Sequence, residues 1–153
     1  MKPRYAKPPY QPKWILQAQV WLLRRRLFPS FNKQNMIITT TGRKTGRSHA
    51  VPIGFARDGN TYLALNMGGK SHWHMNALAN PRVTLEIDGQ VIAARAEPAP
   101  VDTPERLQKV LDVYRRERPG MFEGFMGVSL DAPIQELMDI GKYMAFMRFY
   151  PSD

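Results

Sequence analysis

Cysteine is absent from this 153-residue chain. Its absence excludes disulfides, thiolate nucleophiles, zinc–cysteine sites and iron–sulfur clusters together, and it fits a reducing compartment. Acidic residues are missing from the front of the chain, where none precedes Asp58. No apolar run reaches the roughly 20 residues that a membrane-spanning helix needs. The interrupted stretch Trp14–Phe28 has no small-residue cleavage pattern behind it, so the sequence reads as cytoplasmic. There is no internal repeat, Walker loop, dinucleotide fingerprint or zincin motif. No pair of carboxylates stands out for acid–base work, and no Ser-His-Asp set is marked as assembled. His72 and His74, two apart, would point to different sides of a helix and make a poor metal clamp.

What is present is one domain's worth of apolar sequence, 43% of the residues, enough to bury a core without staples. The net charge of +9 is unevenly placed. Residues 1–57 hold twelve Lys and Arg and no acid, whereas the remainder is weakly acidic. Such asymmetry points to an anionic partner near the front: nucleic acid, lipid headgroups, or a phosphorylated or carboxylated small molecule.

Four prolines make residues 1–12 an extended basic arm, and residues 13–153 read as a single domain. Over Lys13–Phe28, Leu16, Val20, Leu23 and Leu27 form one helical stripe, which Trp14, Ile15 and Trp21 widen. The triplet Arg24-Arg25-Arg26 suits the C-terminal end of that helix, and Pro29 ends it. This helix can lie on a membrane surface or pack on the protein's own core, and the wide stripe favours the core. Strands are expected at Met36–Thr41, Ala50–Arg57, Thr61–Met67, Arg82–Asp88, Val91–Ala96 and Lys142–Tyr150. Ser71 would cap a helix to Ala79, Asp102 one to about Arg118, and Asp131 a short one over 132–140. Pro119–Gly127 reads as a loop rich in Met and Phe. Six short strands, mostly joined by hairpins, indicate an α+β protein built on a closed or split antiparallel β-barrel.

Two loops have the chemistry of anion sites. In Thr39-Thr40-Thr41-Gly42-Arg43-Lys44-Thr45-Gly46-Arg47, three hydroxyls end a strand and a glycine-framed turn carries three cations. Glycine lets backbone amides approach a ligand, Arg offers a planar fork and Lys a point charge. In Gly68-Gly69-Lys70-Ser71, glycines lead into a helix N-terminus with free amides. Without acid–base machinery, hydride transfer is the chemistry that still fits, because a cofactor carries it while the protein anchors, orients and keeps the pocket dry. Nine methionines and the aromatics, Met121, Phe122, Phe125 and Met126 among them, can line such a pocket or serve as ordinary core.

These residues resemble the deazaflavin-dependent nitroreductase family, a branch of the split β-barrel flavin and deazaflavin oxidoreductases. The likeness rests on TTTGRKTGR followed by Val51-Pro52, and on Trp73-His74-Met75-Asn76-Ala77-Leu78-Ala79-Asn80-Pro81-Arg82-Val83, which is similar to the family's Trp-x-x-Asn-Leu-x-Ala-Asn-Pro-x-Val. It covers about residues 33–97 well. The resemblance implies the deazaflavin coenzyme F420 as cofactor, with an anionic phosphate and oligoglutamate tail, and FMN or another flavin or tetrapyrrole (haem, a bilin) as the alternative. It implies that Arg43, Lys44, Thr45 and Arg47 hold the phosphate and tail, and that Thr41, Gly42 and Pro52 also belong to the cofactor site. Asn66, Met67, Gly68, Gly69, Lys70 and Ser71 would run beside the cofactor, and Trp73 and Asn76 would support its ring. Reduced coenzyme would pass a hydride to a quinone, an enone or a nitroaromatic. Met121, Phe125, Tyr143, Phe149 and Tyr150 are the candidates for the acceptor pocket. His49 stands where the family often has a second arginine. The basic arm and loop favour a non-enzymatic alternative, a nucleic-acid-binding module, but strand aromatics for base stacking are sparse and no recognition motif appears.

Overall fold

Among the described residues, period-two stretches form seven strands, one more than expected, in a single antiparallel sheet ordered β2-β1-β5-β6-β7-β4-β3. The structure, a computed structural model, describes residues 11–68 and 71–152, so most of the basic arm falls outside it. The strands are β1 (Asn35–Thr41), β2 (Ser48–Gly54), β3 (Ala56–Asp58), β4 (Thr61–Met67), β5 (Arg82–Ile87), β6 (Gln90–Ala99) and β7 (Met144–Pro151). The helices are α1 (Lys13–Arg25), α2 (Pro29–Gln34), α3 (His72–Ala79), α4 (Pro104–Glu117), α5 (Met121–Met126) and α6 (Ile134–Gly141).

The extra strand comes from splitting the expected Ala50–Arg57 strand at Phe55. The first half, β2, pairs with β1, whereas β3 pairs with β4 at the far edge of the sheet. Consecutive strands on opposite edges curl the sheet until those edges meet, which makes the split barrel. Phe55 is buried at this crossing, its amide donating to Gln34 O and its ring edge-on to Tyr62. Pro52 is tolerated because β2 is an edge strand.

Alternation along each strand separates two cores. The inward face packs Met36 and Ile38 of β1, Leu85 of β5, Ala94 of β6 and Met147 and Phe149 of β7. The outward face of β4 and β7 (Leu63, Met67, Met144, Phe146) is covered by α4, α5 and α6. On the outer face of β1, Val20 and Leu23 of α1 pack over Ile37. Burying each of these two side chains is worth roughly 1.5–3 kcal/mol, so α1 is a core-packing helix, as its stripe indicates.

Several local expectations are corrected. Helix α1 stops at Arg25, where Arg26 turns left-handed (φ 53°), leaving Leu27 exposed. Pro29 opens α2 instead of merely ending α1, because proline's missing N–H costs nothing in a first turn. Thr103, not Asp102, caps α4: its hydroxyl accepts the Arg106 N–H at 3.2 Å, and the Asp102 carboxylate pairs with the Arg106 guanidinium at 2.9 Å. Asp131 does not cap α6, which follows Pro133 without a side-chain cap. The Met- and Phe-rich loop is helix α5, bracketed by left-handed Gly120 and Gly127. Strand β6 runs on to Ala99. No helix among the described residues is long and apolar enough to cross a membrane.

Tyr114 of α4 lies fully inside the outer core, its ring edge-on to Phe122, and its hydroxyl has no hydrogen-bond partner. Burial pushes the phenol well above its ordinary pKa, and the nearby Arg118 and Arg148 charges offset only part of this. Tyr114→Phe is expected to raise stability by about 1 kcal/mol, because it removes a desolvated group that gains nothing in return. The measurement is a higher urea midpoint at an unchanged m-value.

Candidate functional site

Strand β1 places Thr40 inward, in phase with Met36 and Ile38, and buries it. The chain then turns sharply. The Gly42 N–H donates to Arg47 O at 2.7 Å, the Gly46 N–H to Gly42 O at 2.9 Å, and the Arg47 N–H to Thr45 Oγ1 at 3.2 Å. At position 42 a Cβ would stand 2.7 Å from Thr45 Oγ1 and 2.9 Å from His49 Nε2, so any larger residue would displace those two side chains. Gly46 supplies the positive φ of 71° that closes the turn.

Helix α3 locks this loop to the barrel. Buried Asn76 uses both ends of its amide: Oδ1 accepts from Arg43 Nη1 at 2.7 Å and from the Arg43 N–H at 3.3 Å, and Nδ2 donates to Thr40 Oγ1 at 3.2 Å. Arg43 is therefore a buttress as well as a cation. Lys44 and Arg47 are exposed, and no ion pair ties them to a carboxylate among the described residues. Two exposed cations on a hydrogen-bonded loop, with a third anchored behind them, have the chemistry to receive an anion.

The second expected loop abuts the same helix. Asn66 faces inward from β4 and Gly68 turns the chain (φ 77°), its N–H donating to Tyr143 O at 2.8 Å. Gly69 and Lys70 lie outside the described residues. Ser71 is the N-cap residue of α3, but its hydroxyl caps nothing and is buried without a partner. The Asn66 amide nitrogen and His74 Nδ1 are likewise buried and unpartnered, in residues only 4% and 6% exposed. Burial holds the His74 pKa below its ordinary value, so the ring is neutral near pH 7. Trp73 sets its indole edge-on to the His74 ring, with centroids 5.5 Å apart, and leans on Phe149 at 6.3 Å.

Not every expected residue reaches this place. Met67 points the other way, into the core under α4 to α6. Pro52 is paired with Ile37 and so sits on the face that α1 covers, away from the loop. Of the five acceptor-pocket candidates, the four whose side chains are described are not gathered together. Phe149 has no exposed surface and belongs to the inner core. Tyr150, its neighbour on β7, is on the opposite face under the Arg95 guanidinium, 5.0 Å from the ring centre, as alternation requires. Met121 packs half-buried against the outer core. Tyr143 is half-buried beside the Gly68 turn, and the side chain of Phe125 is outside the described residues. The void between Phe122, Met126 and Met144 holds about 10 Å³, less than an acceptor ring needs.

The residue that sequence reasoning passed over is His74. Its spacing excludes a metal clamp, but nothing in the sequence marks a histidine as inward-facing and unpartnered. That property arises only when α3 lies across the sheet.

Comparison with solved structures supports the architecture. The chain is similar to the F420-H2-dependent reductase FDR-A (21% identity, 75% of this chain and 93% of that one, TM-score 0.50). It is similar to the haem storage protein HutZ from Vibrio cholerae (14% identity, 90% and 91%, TM-score 0.55). A third likeness is to an FAD-binding protein from Mesorhizobium loti (14% identity, 90% and 89%, TM-score 0.55). At these identities the likeness establishes the split-barrel fold. Residues 23–134 match the F420H(2)-dependent quinone reductase family, a span that contains the glycine-framed loop, the Gly68 turn and the whole of α3. The chain therefore belongs to the F420H(2)-dependent quinone reductase family and is an F420-dependent oxidoreductase acting on a small hydrophobic acceptor.

Proposed function

We propose that the acceptor is a quinone, and that the coenzyme's phosphate and acidic tail lie on the loop of Gly42 to Arg47 with its ring beside the N-terminal end of α3. The observation that carries this placement is the pair of free cations, Lys44 and Arg47, on a loop that Asn76 docks to α3. The orphaned Asn66 atom at the end of β4 and the orphaned Ser71 and His74 atoms in the first turn of α3 support it, since each is a buried hydrogen-bonding group without a protein partner. The reduced coenzyme supplies a hydride when bound. The protein's part is to hold the anion through Lys44 and Arg47, to fix the loop through Asn76, and to present Trp73 as a wall that excludes water.

Each charge-assisted hydrogen bond to the anion is worth about 1.5–3 kcal/mol. Lys44→Ala and Arg47→Ala are therefore each expected to weaken coenzyme binding at least about 10-fold. They should also flatten its salt dependence, measured by fluorescence titration from low to high ionic strength. FMN titrated in parallel is expected to bind more weakly. Tighter binding of FMN, or a salt dependence unchanged in both variants, would overturn the placement.

A second element bears on how a lipid-borne quinone is met. Trp14 and Trp21, seven apart on α1, are 72% and 53% exposed, and Phe28 and the Arg24-Arg25-Arg26 triplet follow. This combination suits an anionic membrane surface, so we propose peripheral contact through the outer side of α1. Wild-type protein is expected to float with vesicles containing anionic lipid, and Trp14→Ser/Trp21→Ser protein to stay in the pellet fraction. Equal flotation of both would exclude the contact.

A further inference from the structure

The hairpin that carries Lys44 and Arg47 also carries His49, an exposed side chain with no hydrogen bond or ion pair among the described residues. It is the second residue of β2, and its pairing partner on β1 is Thr40. Paired residues of neighbouring strands share a face. His49 therefore stands on the inward side of the sheet, where Thr40 accepts the Asn76 amide at 3.2 Å. The ring lies over the turn. A Cβ built on Gly42 would be 2.9 Å from His49 Nε2 and 3.1 Å from its Cδ2, and 2.7 Å from Thr45 Oγ1. The imidazole edge thus occupies the space that Gly42 leaves open, opposite the threonine that receives the Arg47 N–H. It reaches the mouth of a turn whose charged groups are Arg43, Lys44 and Arg47.

We propose that His49 is the pH-gated cation of this loop: its Nε2–H donates to an anionic oxygen of the coenzyme's phosphate or acidic tail, and the ring takes up a proton from solvent when that anion binds. The proposal rests on the placement of the coenzyme's anion on the loop. Lysine and arginine are charged throughout the neutral range, whereas a histidine changes its charge there. An imidazolium donates through both nitrogens and adds a charge, and a neighbouring anion favours that form. The groups around His49 leave this role to it. Arg43, Lys44 and Arg47 are cations, and Thr40 of β1 and Asn76 of α3 do not titrate. No acid precedes Asp58, so its own hairpin supplies no carboxylate to pair with the ring. Helix α3, which packs on β1, adds two histidines. His74 is buried, and burial holds its pKa below the ordinary value, whereas His72 is exposed and serves as the control. The sign follows from linkage. The complex holds the proton more tightly than the free protein, so affinity is greatest at low pH and is lost as pH rises through about 6 to 8.

The test is calorimetric titration with F420 at about pH 6, 7 and 8.5, in buffers of different ionisation heat, which gives both affinity and protons taken up. The proteins are wild type, His49→Gln, His49→Arg and His72→Gln. Comparing each variant with wild type at the same pH cancels any titration of the coenzyme itself. His49→Gln is expected to bind about 10-fold more weakly than wild type near pH 6 and within about 2-fold of it near pH 8.5. It should also take up fewer protons than wild type near pH 7. His49→Arg should hold the low-pH affinity across the range, and His72→Gln should behave as wild type. A deazaflavin ribityl core without phosphate or tail should not distinguish wild type from His49→Gln. Equal proton uptake by wild type and His49→Gln overturns the proposal. So does a loss of uptake in His72→Gln instead, or the same dependence on His49 with the truncated core. If Lys44→Ala and Arg47→Ala weaken coenzyme binding and His49→Gln does not, the His49 assignment alone fails. If none of the three weakens it, the placement of the coenzyme fails with it.

Discussion

Replacing Asn76 with leucine is expected to lower stability by about 2–3 kcal/mol and coenzyme affinity by at least 10-fold. Oδ1 holds both the backbone N–H and the guanidinium of Arg43, and Nδ2 holds the hydroxyl of buried Thr40. Leucine would leave the threonine hydroxyl and the arginine amide unsatisfied and release the loop from α3. Asn76→Asp separates the two effects. A carboxylate keeps the Arg43 bonds and can accept from Thr40, so stability is retained. Its charge, however, neutralises the cation behind Lys44 and Arg47, so coenzyme binding still falls. Urea unfolding and fluorescence titration on the same two variants check both halves. A leucine variant as stable as wild type would show that the loop is held by something other than Asn76.

Phe149→Ala carries the second large expected effect, a loss of about 3–5 kcal/mol for a fully buried ring removed from a packed interior. The ring has no exposed surface and supports Trp73 from below. Tyr150→Phe is expected to stay within about 0.5 kcal/mol of wild type, because the ring that Arg95 covers is kept. A pocket role for Phe149 would give the reverse pattern, a changed KM for the acceptor at unchanged stability. Denaturant midpoints and steady-state kinetics on the two variants decide between them.

What could be read in the sequence was local. The run Thr61–Met67 is the strand β4 residue for residue, and the hydroxyl-rich end of β1 with its glycine-framed turn stands where spacing puts it. Asn76 stands out through the motif that carries the family resemblance, which implies a contact with the cofactor's ring and linker; its grip on Arg43 and Thr40 is visible only in the structure. What failed was non-local. Ala50–Arg57 is one unbroken hydropathic run, and nothing in it says that Phe55 carries the chain from one sheet edge to the other. Pro119–Gly127 reads as a loop rich in Met and Phe, yet its glycines at 120 and 127 serve as the boundaries of helix α5. Tyr150 and Phe149 both suit an acceptor pocket by residue type, but adjacent strand residues cannot share one face. His74 gave no signal, since an unpartnered buried nitrogen is a property of packing.

The place of β7 in the sheet governs how such a molecule is made. Its partners β4 and β6 meet only through it, although it is the last strand of the seven to be synthesised. A nascent chain that has delivered β1 to β6 thus holds two separate ribbons, β2-β1-β5-β6 and β4-β3, joined by covalent linkage and not by a shared hydrogen-bond ladder. Contacts of this sequence separation form slowly, and until they form both ribbons expose unpaired edges of the kind that recruit other chains. Residues 144–151 act as the closing stave. Refolding from denaturant should be limited by the docking of that stave between the two ribbons, more than by the intrinsic strength of either ribbon.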